Sequence, residues 1–230
     1  MKFLFPLFLS IFFISCQKKD IKVPVNDNPG IHEIWNNSHV YILIKIKNGD
    51  TIPDVKLGQT ISTTDWLVAI DRRLKMKKLI PAINKVLKAR HKKSIHKTGK
   101  EKAYLTYLDT IANKISFIRF DSIQIMPSIF TSRSYYKKYY KQDSLFNKTH
   151  ILIYPDKIII NDSLKFKEPI DKKQFKKKFI NYFQNINSNK EKKIYLNFNE
   201  DIDYNRFLNY YTFFKNLKSS SLDRKIFIFE

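Results

Sequence analysis

The chain has 230 residues, 43% apolar and 15% aromatic, with a mean hydropathy of −0.39. That composition excludes a disordered polymer and leaves room for one large or two small domains. Its 43 Lys and Arg against 21 Asp and Glu give a net charge of +22, which points to anionic partners or to a solvated lysine surface; one cysteine excludes a disulfide framework, and four glycines leave few places for a phosphate-cradling loop.

At the start, Lys2 precedes an apolar run from Phe3 to Ile14, closed by Ser15 and Cys16. A basic start, a short apolar core and a small residue before the cut describe a secretory signal peptide over 1–15. The run falls short of the roughly 20 apolar residues of a membrane span. Phe13-Ile14-Ser15-Cys16 resembles a bacterial lipobox, with Phe13 in place of the commoner leucine. The resemblance implies that Cys16 becomes the mature N-terminus, carries the lipid and anchors the protein in the cell envelope. Gln17 is not the aspartate that commonly retains lipoproteins at the inner membrane, so the outer membrane is favoured, on its periplasmic face or at the cell surface. With Cys16 modified, no thiol remains for catalysis or metal binding. The expected partners are the membrane, through the lipid on Cys16, and an envelope protein or an anionic cell-wall polymer; the export signal argues against nucleic acid.

Residues 16–37 hold Pro24, Pro29, Gly30 and several Asn and Asp, the composition of a flexible tether. An N-terminal α+β unit is expected over 38–125. Val40 to Lys47 reads as a strand, Asn48-Gly49 as a hairpin turn, and Thr51 to Leu57 as a second strand that Pro53 confines to an edge or bulge. Trp66 to Ile70 is a buried strand. Leu74, Met76, Leu79, Ile80, Ile83, Val86 and Leu87 then fall at helical spacing, with Pro81 expected to kink or restart the helix. His91 to Lys102 reads as a basic loop and Ala103 to Leu108 as a strand.

A Tyr- and Lys-rich connector spans 126–147, and a second α+β unit spans 148–230. Ile151 to Tyr154, the turn Pro155-Asp156-Lys157 and Ile158 to Ile160 make a hairpin. Asp171 with Gln174 has the spacing of a capping box, opening a helix that buries Phe175, Phe179, Phe183 and Ile186. Ile194 to Phe198 alternates as a strand, Asp201 or Asp203 caps a helix with Tyr204, Phe207, Leu208, Tyr211 and Phe214 on one face, and Ile226 to Phe229 is the last strand.

Laying Val68–Val86 over Leu196–Phe214, 128 positions apart, superposes eight apolar positions without a gap. Both copies follow a hairpin and precede a strand, which predicts an α+β fold of two related small units, each a sheet with helices packed on one face.

The order hairpin–helix–strand–helix–strand over Ile151–Phe229 resembles the periplasmic domain of the ExbD/TolR family, members of proton-driven envelope complexes. The resemblance rests on ILIYPDKIIIND, the helix from Asp171, IYLNF with the acidic turn Asn199-Glu200-Asp201, the Tyr204 helix and KIFIF. The family commonly has an acidic residue after that strand and a tyrosine early in the next helix; Glu200 or Asp201 and Tyr204 fit those places, and in the first half Asp71 fits after the Trp66 strand. The family's membrane helix with its proton-handling aspartate has no counterpart here, so motor activity does not carry over.

Candidate chemistry is sparse. His91 and His96 lack a nearby carboxylate, Asp201 and Asp203 suit caps, and neither GxSxG nor HExxH occurs. No catalytic residue, metal or cofactor is expected. Arg133, Tyr135, Tyr136, Lys137, Lys138, Tyr139 and Tyr140 alternate cations with aromatic rings, a candidate binding surface for anions or sugars. The same stretch fits an amphipathic helix whose tyrosines pack between the two halves. The expected function is a lipid-anchored, non-catalytic binding or scaffold module. A surface-displayed adhesin or nutrient-uptake lipoprotein is the alternative, followed by an envelope hydrolase.

Overall fold

The computed structural model describes residues 20–92, 95–139, 146–161, 164–167, 172–185, 191–217 and 222–230. The signal peptide, Cys16, Tyr140, the Asp171 cap and Ile186 lie outside the described residues.

The first unit runs β1 (Val25–Asn26), β2 (Asn37–Lys47), β3 (Asp50–Lys56), β4 (Asp65–Ile70), α1 (Met76–His91), β5 (Ala103–Asp109) and β6 (Lys114–Arg119). Its sheet has the order β3–β2–β4–β5, with β6 antiparallel and β1 parallel to β5. Asn48 and Gly49 take φ of 52° and 76°, the left-handed conformation that a tight hairpin between β2 and β3 requires. Pro53 is tolerated because β3 is an edge strand. The helix α1 runs through Pro81 unbroken, with the ring on the exposed face, so no restart is seen.

Order begins before residue 38, against the expectation of a tether over 16–37. Val25 pairs with Leu108, the Val25 N–H donates to Asn205 Oδ1 at 2.8 Å, and Asn26 is buried, its amide donating to Thr212 Oγ1 at 2.6 Å. Composition failed there because the segment has no pattern of its own. It is ordered by the side of β5 and by the polar groups of a helix about 180 residues away.

The second unit runs β7 (Gln124–Met126), α2 (Ser132–Tyr139), β8 (Phe146–Ile153), β9 (Lys157–Ile160), β10 (Leu164–Lys167), α3 (Lys172–Asn185), β11 (Glu191–Asn199), α4 (Tyr204–Leu217) and β12 (Leu222–Phe229). The sheet order is β10–β9–β8–β11–β12–β7. Since β7 lies parallel to β12, the first sheet ends at β6, and residues 124 and 125 belong with the second unit rather than the first.

The strands superpose by register. Val40 faces Val68 and Val68 faces Leu105 in the first sheet; Ile151 faces Leu196 and Leu196 faces Ile226 in the second. Each sheet therefore has a hairpin, a parallel strand, a helix and a further parallel strand in the same order. The fold is α+β, built from two similar units.

The units meet at the starts of α1 and α4, across an approximate two-fold axis. Lys75 and Asp203, 128 positions apart, form an isolated antiparallel bridge with each other. The Met76 N–H donates to the Ile202 carbonyl and the Tyr204 N–H to the Leu74 carbonyl, both at 2.8 Å. Lys77 N–H to Glu200 O and Asn205 N–H to Arg72 O, at 2.8 and 3.4 Å, repeat the relation one residue further on. The first turn of a helix has N–H groups with no partner inside the helix. Here each helix gives two of them to carbonyls of the other unit. The apolar faces of α1 and α4 and the inner faces of both sheets form one continuous buried cluster, from Val40 to Ile228.

Candidate binding surfaces

The helix α2 lies on the second sheet, on the face opposite α4, and not between the two halves. Alternation along β11 sends Leu196 and Phe198 toward α4 and Tyr195 and Asn197 toward α2. The Tyr135 ring packs 5.5 Å from Phe227, and Lys225 lies over it. Tyr136 packs against Tyr195 and His150, and Lys148 Nζ sits 3.4 Å from its ring centre. Of the seven residues predicted to form a surface, Tyr135 and Tyr136 are half-buried in these contacts. Arg133, Lys137, Lys138 and Tyr139 are exposed, with Lys138 over the rings of Phe130 and Tyr139. Tyr140 lies outside the described residues.

A buried polar cluster fixes the start of α2. Ser132, 1% exposed, bonds through Oγ to His150 Nδ1 at 2.8 Å and accepts from Asn197 Nδ2 at 2.7 Å. The Ser132 N–H donates to Asn197 Oδ1 at 2.5 Å. A serine on a histidine suggests a nucleophile and its base. Two facts speak against that chemistry: the hydroxyl is enclosed, and among the described residues no carboxylate bonds to the ring of His150. Burial, with Arg133 and Lys148 nearby, pushes the His150 imidazole down to about 4, so the ring is neutral at pH 7. No sequence motif singles out His150. Its place opposite Tyr195 in the β8–β11 register could have marked it as a sheet-face residue.

The residues matched to the acidic turn take different parts. Asp201 binds Lys77 Nζ at 2.7 Å and lies 3.7 Å from Lys75, so it links the units and does not cap. Asp203 is the cap, accepting the Arg206 N–H at 2.9 Å. Tyr204 is wholly buried, and its hydroxyl has no hydrogen-bond partner among the described residues, which removes it from any contact surface. In the first unit, Asp71 follows the equivalent strand at 1% exposure. Burial would raise its carboxyl, but Arg73, bonding Oδ1 at 2.8 Å and Oδ2 at 2.6 Å, holds it below the ordinary range.

His91 and His96 are exposed. Among the described residues no group of three or more His, Cys, Asp or Glu is placed to hold a metal ion, and no helix is long and apolar enough to cross a membrane.

Among the described residues, the second unit has an outer layer with no counterpart in the first. Where the first unit passes from β3 to β4 through a short loop, the second inserts β10 and α3. Phe175, Phe179 and Phe183 are buried along α3, stacked in series 6.0 and 5.8 Å apart, with Phe175 and Phe179 against Phe214 of α4. The opposite side of α3 exposes Lys176 and Lys177, and β10 is the terminal strand of its sheet. No protein-family model matches the chain, and neither the curated proteins nor the solved structures give a match.

Proposed function

We propose that this chain is a lipid-anchored cell-envelope protein, held by Cys16, that acts as a non-catalytic binding or scaffold module. In this reading the second unit makes the contact, through the lysine face of α3 and the β10 edge. The partner is an envelope protein or an anionic cell-wall polymer. The observation that supports it is the placement of Lys176 and Lys177 on the outward side of an element that the first unit lacks. A strand edge beside a basic helix suits an extended acidic segment, which would gain backbone pairing and charge complementarity together. The resemblance to ExbD/TolR domains fits an envelope setting and is kept here as a proposal of kinship in fold.

Crosslinking of the full chain in intact envelopes tests the contact. Lys176→Glu/Lys177→Glu should lose its crosslinked adducts while keeping its melting temperature. Adducts unchanged by the reversal would remove α3 from the contact. The anchor has its own test: Cys16→Ala should move the chain from the membrane to the soluble fraction, and retention in the membrane would overturn lipidation.

A further inference from the structure

A cavity of about 690 Å³ opens where the end of α1, the 97–102 loop, the segment after β6 and the start of β12 come together. Six cationic side chains line it: Arg90, Lys92, Lys97, Lys102, Arg119 and Arg224. Two carboxylates lie among them, and both are committed. Glu101 accepts the Thr98 N–H at 2.8 Å and the Thr98 hydroxyl at 3.1 Å, and Asp121 takes Arg119 Nε at 2.6 Å. Lys97 is spent on the carbonyls of Arg90 and Lys92 at the end of α1.

Arg90 is the informative residue. It is only 5% exposed, and among the described residues its guanidinium bonds backbone carbonyls and no carboxylate; Glu101, Asp65 and Asp121 act on its charge only from further off, while burial lowers its pKa. Its guanidinium lies 5.1 Å over the Trp66 ring, and Nη1 donates to the carbonyls of Thr64 and Ser62 at 3.0 and 3.3 Å. These contacts fix the plane of the fork and use one of its three nitrogens. A guanidinium has five N–H donors and cannot give up its charge. A buried guanidinium with no directly bonded anion has unused donors that an anionic ligand can fill. Lys102 and Arg224 stand at the same cavity.

We propose that this cavity binds a phosphomonoester, with the fork of Arg90 gripping the phosphate and Lys102 and Arg224 closing on it from the two units. A planar fork matches the paired oxygens of phosphate, and charge-assisted bonds of this kind are the strong ones. The cavity lies within the roughly 300–1,000 Å³ of small-molecule sites, so it has room for the body that carries the phosphate. A sugar and a glycerol body are the two that the probes below distinguish. The site is made by elements other than α3 and β10, so it stands or falls separately from the contact proposed above.

Calorimetric titration of the full chain in a neutral detergent tests this, with glucose 6-phosphate, glycerol 3-phosphate and glucose as probes. The expected result is saturable one-to-one binding of at least one phosphate ester and none of glucose. The tighter ester names the source, sugar or lipid headgroup. Arg90→Met, which keeps an unbranched side chain against Trp66, should weaken binding by about tenfold or more. Because that substitution alters a buried site, the rim variant Lys102→Ala/Arg224→Ala serves as the second: it should weaken binding similarly at an unchanged melting temperature. No saturable binding of either ester at about 10 mM, or wild-type binding by both variants, would overturn the proposal.

Discussion

Before α1 stands Lys75, with no side-chain cap; at the equivalent place before α4 stands Asp203, whose carboxylate accepts the Arg206 N–H. The two helices begin alike although the chemistry of these residues is opposite. Both starts are held by the other unit's backbone, through the Met76–Ile202 and Tyr204–Leu74 bonds. Main-chain geometry is what the two units share, and it makes few demands on which side chains stand at equivalent positions. This explains why the repeat shows as apolar pattern with almost no identity. It also predicts where the units behave as one and where they differ.

The largest effects should fall on the shared core. Ile70 and Phe198 are equivalent and fully buried. Ile70→Ala should cost about 2–5 kcal/mol and Phe198→Ala about 3–5 kcal/mol. Because the cluster is continuous, each variant should unfold in a single transition, with circular dichroism and tryptophan fluorescence coinciding. Two separated transitions would show that the halves fold alone, and the two-fold seam would then be only a contact.

Next comes a pH dependence carried by the second unit. His150 titrates near 4 when folded and near 6.5 when unfolded. Between those values the unfolded chain takes up a proton that the folded chain refuses. Its contribution is complete above pH 6.5 and is lost as pH falls toward 4, by up to about 3 kcal/mol. Urea midpoints measured from pH 7.5 to 4.5 should fall less steeply in His150→Gln than in the wild type. Equal slopes would mean that the ring is not held neutral.

A smaller contrast sharpens the comparison of caps. Asp203→Ala should destabilise by about 1 kcal/mol, whereas Lys75→Ser, which supplies a cap where none exists, should gain several tenths. If both substitutions are silent, the backbone seam alone satisfies the helix starts. The smallest effect is expected for Lys77→Ala: its partner Asp201 is 46% exposed, so the ion pair should leave the denaturation midpoint within error.

Periodicity in the sequence located the two hairpins, the central strands and the helices α1, α3 and α4, because each of these buries one face and so carries a local pattern. The 128-residue offset was readable for the same reason. Three kinds of feature were not. Val25-Asn26 and β7 are too short to carry a pattern, and their pairing partners β5 and β12 lie far along the chain. The tyrosines of α2 were recognisable as a group, but nothing local says that Tyr135 meets Phe227 and Tyr136 meets Tyr195. The cavity gathers residues from Arg90 to Arg224, and in a chain with 43 basic residues no single lysine or arginine stands out. Only folding separates Arg90, which is enclosed, from those in water.

The segment ahead of β2 has a mechanical meaning. Lys22 N–H reaches Asp71, the Lys22 carbonyl accepts the Arg72 N–H, Val25 and Asn26 lie along β5, and the same two residues are tied to Asn205 and Thr212 in α4. With lipid on Cys16, as proposed, four residue steps would separate the anchor from Asp20, a reach of at most about 14 Å. Such a protein would not swing on a leash. It would be docked close to the bilayer, and a pull on the anchor would load both units at once.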